Sequence, residues 1–231
     1  MKFIRIFFFL SLITTPLLLF CSPASKVVPP SKAVPSHRNN KPPLKTHKGA
    51  LIILDPGHGG FDMGAEAPGV QEKMLALTTA ILLKKHLSDK GYRVILTRSK
   101  DVFVSLSKRS TIANSTKSTL FLSLHYNAHV KADPSGIEVY YYREGSSSRS
   151  AASKKLAQNV LSHMIALTGA ESRGVKHGNL HVIRETKMPA ILVEGGFITN
   201  PKERNKLKEN EYLDQIALGI AEGVDKYFNT K

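Results

Sequence analysis

The sequence predicts an α/β fold: a single domain on a central six-stranded sheet, mostly parallel or mixed, with helices on both faces. Three observations carry this. Strand-like and helix-like segments alternate from Leu51 to Phe228, as in sheets whose strands are joined through helices. The segment TLFLSLH, ending at His125, is nearly all apolar, as in strands covered on both faces. The chain has 231 residues, 42% of them hydrophobic, enough for one well-packed domain with appendages and too few for two large ones.

Each element has its own signal. LIILD from Leu51 is a short buried strand that leaves through Pro56, Gly57, Gly59 and Gly60. Leu75, Leu82, Leu83 and Leu87 fall on one side of a helix from about Gln71 to Lys90, ended by Gly91. YRVILT from Tyr92 is a second strand, Leu106 to Asn114 a short helix, TLFLSLH the third strand, and GIEVYYY from Gly136 the fourth. A long helix over Arg149 to Leu167 follows, then NLHVI from Asn179 as a fifth strand and AILVEG from Ala190 as a sixth. Asn200 before Pro201 is a cap with proline in the first turn, opening a charged helix, and Tyr212 to Phe228 closes the domain with another.

The first 24 residues read as an export signal: Lys2 and Arg5, an apolar run from Ile6 to Leu19, then small residues Ser22 and Ala24 for cleavage. The run is too short to be preferred as a spanning helix. Cys21, the only cysteine, stands where lipoprotein signals place a lipidated residue, although bulky Phe20 precedes it. Cleavage after Ala24 and lipid anchoring through Cys21 both stay open, and neither leaves a disulfide to hold the fold. Residues 25–49 are rich in Pro, Lys and Ser and read as an extended basic tether, with the domain proper at 50–231.

The formal charge of +15 draws the chain to anionic partners, and loss of Lys2 and Arg5 with the leader lowers it by only two. For an exported chain, in the periplasm or elsewhere in the envelope, those partners are an acidic wall polymer or an anionic membrane surface, not nucleic acid.

Ligands gather at the C-terminal ends of strands in such sheets. The first, third and sixth predicted strands lead to His58, His125 and Glu194, and the first helix begins beside Glu72. Two histidines and a carboxylate converging on one sheet edge match the ligand set of a catalytic zinc with an open fourth position. The glycines around His58 leave room for its ring beyond the edge. A second carboxylate is then needed to move a proton, and Glu194 in VEGGF remains for that task. On spacing alone, each residue keeps an ordinary reading as a turn histidine, a helix-start acid or a core histidine.

The segments LDPGHGGFDMGA, QEK, SLHYNA and MPAILVEGGFITN resemble, in order and pacing, the motifs of the zinc-dependent N-acetylmuramoyl-L-alanine amidases of the cell-wall hydrolase type. The resemblance runs from Leu51 to Phe228 and takes in Arg98, Arg109 and RGVK at Arg173. It implies His58, Glu72 and His125 as ligands of one Zn2+, Glu194 as general base, and peptidoglycan as the partner of a monomer. The bond implied is the amide between N-acetylmuramic acid and the L-alanine of the stem peptide. Two positions depart from the family: Tyr126 stands where a small residue is common, and Gly195 where leucine is common. Relatives that await an activator carry an added helix that plugs the zinc site. Here GIEVYYYREGSSSRSAASKKL passes from strand to helix through a Ser-rich turn.

Two other classes share these features. One is a non-catalytic wall-binding protein that keeps the groove without turnover, against which Glu194 argues; the other is a zinc peptidase or deacetylase acting on a different wall bond. His177 and His181 are four apart on a turn and strand, where that spacing does not share a face. Ser105 and Lys108 fit the S-x-x-K pattern of serine acyl-enzymes, which would add a carboxypeptidase activity. No clear partner motif accompanies it, and a solvated first helical turn is the simpler reading.

Overall fold

The computed structural model describes residues 47–143 and 147–230. The segments read as an export signal and a basic tether, with Cys21, lie outside the described residues except for 47–49. In chain order the elements are β1 (Leu51–Pro56), β2 (Glu66–Ala67), β3 (Val70–Gln71), α1 (Glu72–Asp89), β4 (Arg93–Leu96), α2 (Leu106–Ser115) and β5 (Leu120–Asn127). Then come β6 (Ile137–Tyr141), α3 (Ser148–Thr168), β7 (Ser172–His177), α4 (His181–Arg184), β8 (Ala190–Phe197), α5 (Pro201–Leu207) and α6 (Asn210–Asn229).

Six strands form one mixed sheet in the order β4-β1-β5-β8-β6-β7. The first four in that order run parallel, β6 is antiparallel to β8, and β7 is parallel to β6. Strand side chains alternate between the faces, so each central strand feeds two cores. Ile52 and Leu54, Leu120, Leu122 and Leu124, and Ile191 and Val193 join α1, α3 and α6 in the larger core. Ile53, Phe121, Ala190 and Leu192 pack with Ala113 of α2 and Val182 and Ile183 of α4 on the other side. Helices therefore cover both faces, as the apolar central strands require.

Three local readings change. NLHVI is not a strand: the fifth strand of the large sheet in chain order is β7, SRGVKH, and the chain turns at Gly178, whose N–H donates to Tyr141 O at 3.0 Å. One helical turn follows, because it lets the adjacent Val182 and Ile183 both face the smaller core, whereas a strand would send them to opposite sides. Glu194 is not at a strand end but inside β8, which runs on to Phe197. Residues 47–49 are not free tether, since His47 stacks on Phe228 at 5.0 Å and Gly49 N–H donates to Gly91 O. The β2–β3 hairpin, too short for a periodic signal, was also not anticipated. Among the described residues, no helix is long and apolar enough to cross a membrane.

Candidate metal centre

The parallel register places the site. β1 delivers the chain to the turn carrying His58, and β5 carries His125 on the same edge, on the face opposite Leu124 and Tyr126. His58 adopts a left-handed backbone with φ 58°, costly for a residue with a side chain and a recurrent mark of functional turns. Glu72, the first residue of α1, folds back to the same point: its Oε2 accepts from Ala65 N–H at 2.8 Å, and its Oε1 accepts from Tyr126 N–H at 3.2 Å. Glycine at position 64 is required here, with φ 68° and a β-carbon that would lie 2.6 Å from Glu72 Oε2 and 2.7 Å from His58 Cδ2.

His58, Glu72 and His125 each offer a ligand atom, and these atoms lie within 4.8 Å of one another. Glu72 Oε1 meets both rings, at 3.1 Å from His58 Nε2 and 2.8 Å from His125 Nδ1. The two rings stand edge to face with centroids 4.9 Å apart. His58 Nδ1 donates to Asp62 Oδ1 at 2.8 Å, which fixes the ring and leaves Nε2 turned towards Glu72. A carboxylate behind the outer nitrogen of a histidine is the usual support of a metal ligand. Two imidazoles and a carboxylate are a donor set that suits zinc, so the residues present fit the ion the resemblance implies.

Charges settle accordingly. Burial lowers the His58 pKa, but hydrogen bonds and charge from Glu72 and Asp62 outweigh this and raise it above its ordinary value. Burial raises the Glu72 carboxyl, and the two histidines more than reverse this, holding it far below the carboxylate range.

Glu194 stands opposite His125 in the β5–β8 ladder. Its Oε2 is buried without a hydrogen-bond partner among the described residues. Burial first, then the negative charges of Glu72 and Glu138, push its pKa well above the ordinary range. An unpaired buried carboxylate is expensive, and such groups concentrate where a proton must be held or moved.

The His58 turn is strapped by cations. Arg109, buried, donates to Asp55 Oδ1 at 2.8 Å, Pro56 O at 2.6 Å and His58 O at 2.7 Å. Arg98, also buried, donates to Pro56 O at 3.0 Å and to Gly57 O at 2.6 Å. Lys73 bridges Gly60 O and Asp101 Oδ2, both at 2.8 Å. Asp55 in turn accepts from Thr97 and Ser123. A turn of glycines has little rigidity of its own, and these bonds to its carbonyls supply it.

All four site residues named from sequence come to one edge. Asp62, Lys73 and Asp55 were missed, and Arg98 and Arg109 were noted without a role. Asp62 had a readable signal, an acid four residues past the histidine in a glycine-rich turn. His177 ends β7 and His181 begins α4, and among the described residues the only metal-type cluster does not include them. Ser105 is the N-cap of α2, accepting from Lys108 N–H at 3.3 Å, with both side chains exposed. That arrangement is the one a solvated first helical turn has, with the hydroxyl engaged by the helix backbone.

A His/Glu/His cluster at the C-terminal edge of a parallel sheet, with a second carboxylate opposite, is the architecture of a metal-dependent hydrolase. The chain belongs to the N-acetylmuramoyl-L-alanine amidase family, whose profile matches residues 52–226. It is 39% identical over 180 residues to N-acetylmuramoyl-L-alanine amidase LytC of Bacillus subtilis, covering 78% of this chain and 36% of LytC. It is 37% identical over 182 residues to the sporulation-specific N-acetylmuramoyl-L-alanine amidase of the same organism, covering 78% of this chain and 69% of that protein. The crystal structure of an N-acetylmuramoyl-L-alanine amidase from Clostridium difficile 630 superposes with a TM-score of 0.76 at 37% identity, over 80% of this chain and 99% of that one.

Proposed function

We propose that this chain hydrolyses the amide joining the muramyl lactyl group to L-alanine in peptidoglycan stems, with one zinc held by His58, Glu72 and His125 and with Glu194 as general base. The observation that carries the reading is the placement of Glu194, a buried carboxylate with a free oxygen, directly across the ladder from His125. When bound, zinc supplies Lewis acidity, which lowers the pKa of a water and polarises a carbonyl oxygen. The protein's own groups do the rest. Asp62 orients His58, and the Arg98 and Arg109 straps fix the turn that presents it. Glu194 takes a proton from the water as the water oxygen bonds to the lactyl carbonyl carbon. The same carboxyl then gives that proton to the alanine nitrogen as the carbon–nitrogen bond breaks.

We also propose export, on the leader of residues 1–24 with lipid anchoring at Cys21 as its variant, and the basic segment from residue 25 to 46 as the reach between envelope surface and wall. Mass analysis of digests of purified muropeptides tests the function: the expected products are a lactyl-terminated glycan and a peptide with a free alanine amine. Products cut at any other wall bond would transfer the site to the peptidase or deacetylase reading, and an absence of products to the binding-protein reading.

A further inference from the structure

Beside Glu194 the sheet carries a buried acid that this hydrolysis does not use. Glu138 on β6 is paired with Glu194 in the antiparallel ladder and is 3% exposed. Its Oε1 accepts from Asn127 Nδ2 at 2.8 Å and Tyr140 OH at 2.7 Å, and its Oε2 from Arg173 Nε at 3.0 Å and from Lys176 Nζ. Four donors fill a carboxylate's capacity. Both cations converge on this one acid, on the side of the sheet where Glu194 stands opposite it in the ladder.

Both cations stay about one-third exposed, Arg173 at 32% and Lys176 at 37%. Aromatic rings hold them in place: the Arg173 guanidinium lies 4.9 Å from the Phe197 centroid, and Lys176 Nζ 5.9 Å from that of Tyr140. Glu138 thus acts as a post that arranges two long side chains in advance of any ligand.

Their position matches a stem peptide. β7 lies two strands from β8, about 10 Å at the usual strand spacing. The residue after alanine has its Cα about 5 Å from the cleaved nitrogen, so a carboxylate there can extend across β6 towards the pair. On the other flank of the His58 turn, exposed Phe61 and Phe103 stack at 4.2 Å.

We infer that Arg173 and Lys176, arranged by Glu138, form an anion-binding subsite for a free α-carboxylate on the residue that follows alanine in the stem. This rests on the amidase reading above. The test uses the zinc-loaded full chain and two synthetic muramyl-L-alanyl dipeptides, identical except that the second residue carries a free α-carboxylate or its primary amide. The acid should show a KM lower by about tenfold at low salt, with kcat unchanged, as charge-assisted hydrogen bonds give. The preference should shrink as salt rises. Lys176→Met should raise KM for the acid alone; a merely structural role would move both substrates together and overturn the inference. Should that variant fail to fold, the wild-type ratio across salt decides by itself. Equal KM values for the two wild-type substrates would remove the subsite and leave the hydrolase standing, whereas no cleavage of either would remove both.

Discussion

Gly195 and Tyr126 share one space behind the site: a β-carbon on Gly195 would stand 2.7 Å from Cε1 of the tyrosine ring. Each lies one residue past a site residue, Tyr126 after His125 and Gly195 after Glu194, on the larger-core side of neighbouring strands. The tyrosine is 2% exposed, and its hydroxyl pairs with Thr79 Oγ1 of α1 at 2.5 Å, tying the histidine strand to the helix that begins at Glu72. The two positions at which the sequence departs from the motif it resembles therefore meet across a strand pair, a large ring on one side and no side chain on the other.

That shared space predicts coupling. Gly195→Leu alone should cost about 1–3 kcal/mol by overpacking against the ring. Tyr126→Ala alone should cost about 3–5 kcal/mol through the cavity left behind. The double variant should recover at least about 1 kcal/mol relative to the sum of the two. Urea unfolding of all four proteins measures this, and strict additivity would show that the two side chains do not compete for the same space.

The zinc site predicts a dependence on acid. In the metal-free protein His58 has a raised pKa, so its contribution to stability is fully present below the ordinary 6.5 and is lost as pH rises through the folded value. Zinc needs the neutral ring, so below that folded value binding must expel a proton. Zinc affinity should fall by about tenfold per pH unit in that range and level off above it. Asp62→Asn removes the support of Nδ1 and should weaken zinc by about 10–100-fold. Calorimetric titration across pH reads both effects, and full zinc content in a His58→Ala, His125→Ala double variant would refute the ligand assignment.

How much of this was legible depends on what writes a periodic signal. β1, β5 and β8 showed through because they are buried on both faces and therefore almost uninterruptedly apolar. His58, Glu72 and His125 showed through because they stand where strands and a helix begin or end. The buried polar frame did not. Asp55, Arg98 and Arg109 are almost wholly inaccessible yet read in sequence as surface residues, since only contacts some forty to fifty positions apart make their burial tolerable. NLHVI misled for a related reason: its apolar pair looks like strand, and only the position of the smaller core decides for a helical turn. Glu138 was passed over because its acid in an alternating strand looks like a solvent-facing residue, whereas four donors from three strands bury it.

Glu194 sets function against stability. A carboxyl whose folded pKa lies above its unfolded value opposes folding when pH exceeds the folded pKa, and the penalty vanishes below the ordinary 4.5. Glu194→Gln keeps the size, removes the charge and cannot accept a proton. Turnover should fall on the order of 10²-fold or more with zinc retained. Thermal stability of the metal-free variant at neutral pH should equal or exceed that of the wild type. A variant that keeps its turnover would place the base elsewhere, and one that loses stability would show that the carboxylate has partners after all.

The last prediction concerns control. β6 ends at Tyr141 and α3 begins at Ser148, so six residues join them, fewer than a blocking helix over the site would need. The α3 end of this connection is fixed: Ser147 caps the helix by accepting from Ser150 N–H at 3.2 Å, and Arg149 donates to Thr186 O at 2.7 Å. A site without that plug has no need of a partner to withdraw it. The zinc-loaded protein from His47 onwards should therefore cleave muropeptides unaided, and the rate should change little when cell-envelope extract is added. Restraint in the cell would then lie in export, anchoring and access to the wall. If the domain alone is silent and a protein factor strongly stimulates it, a gate of another construction must close the site.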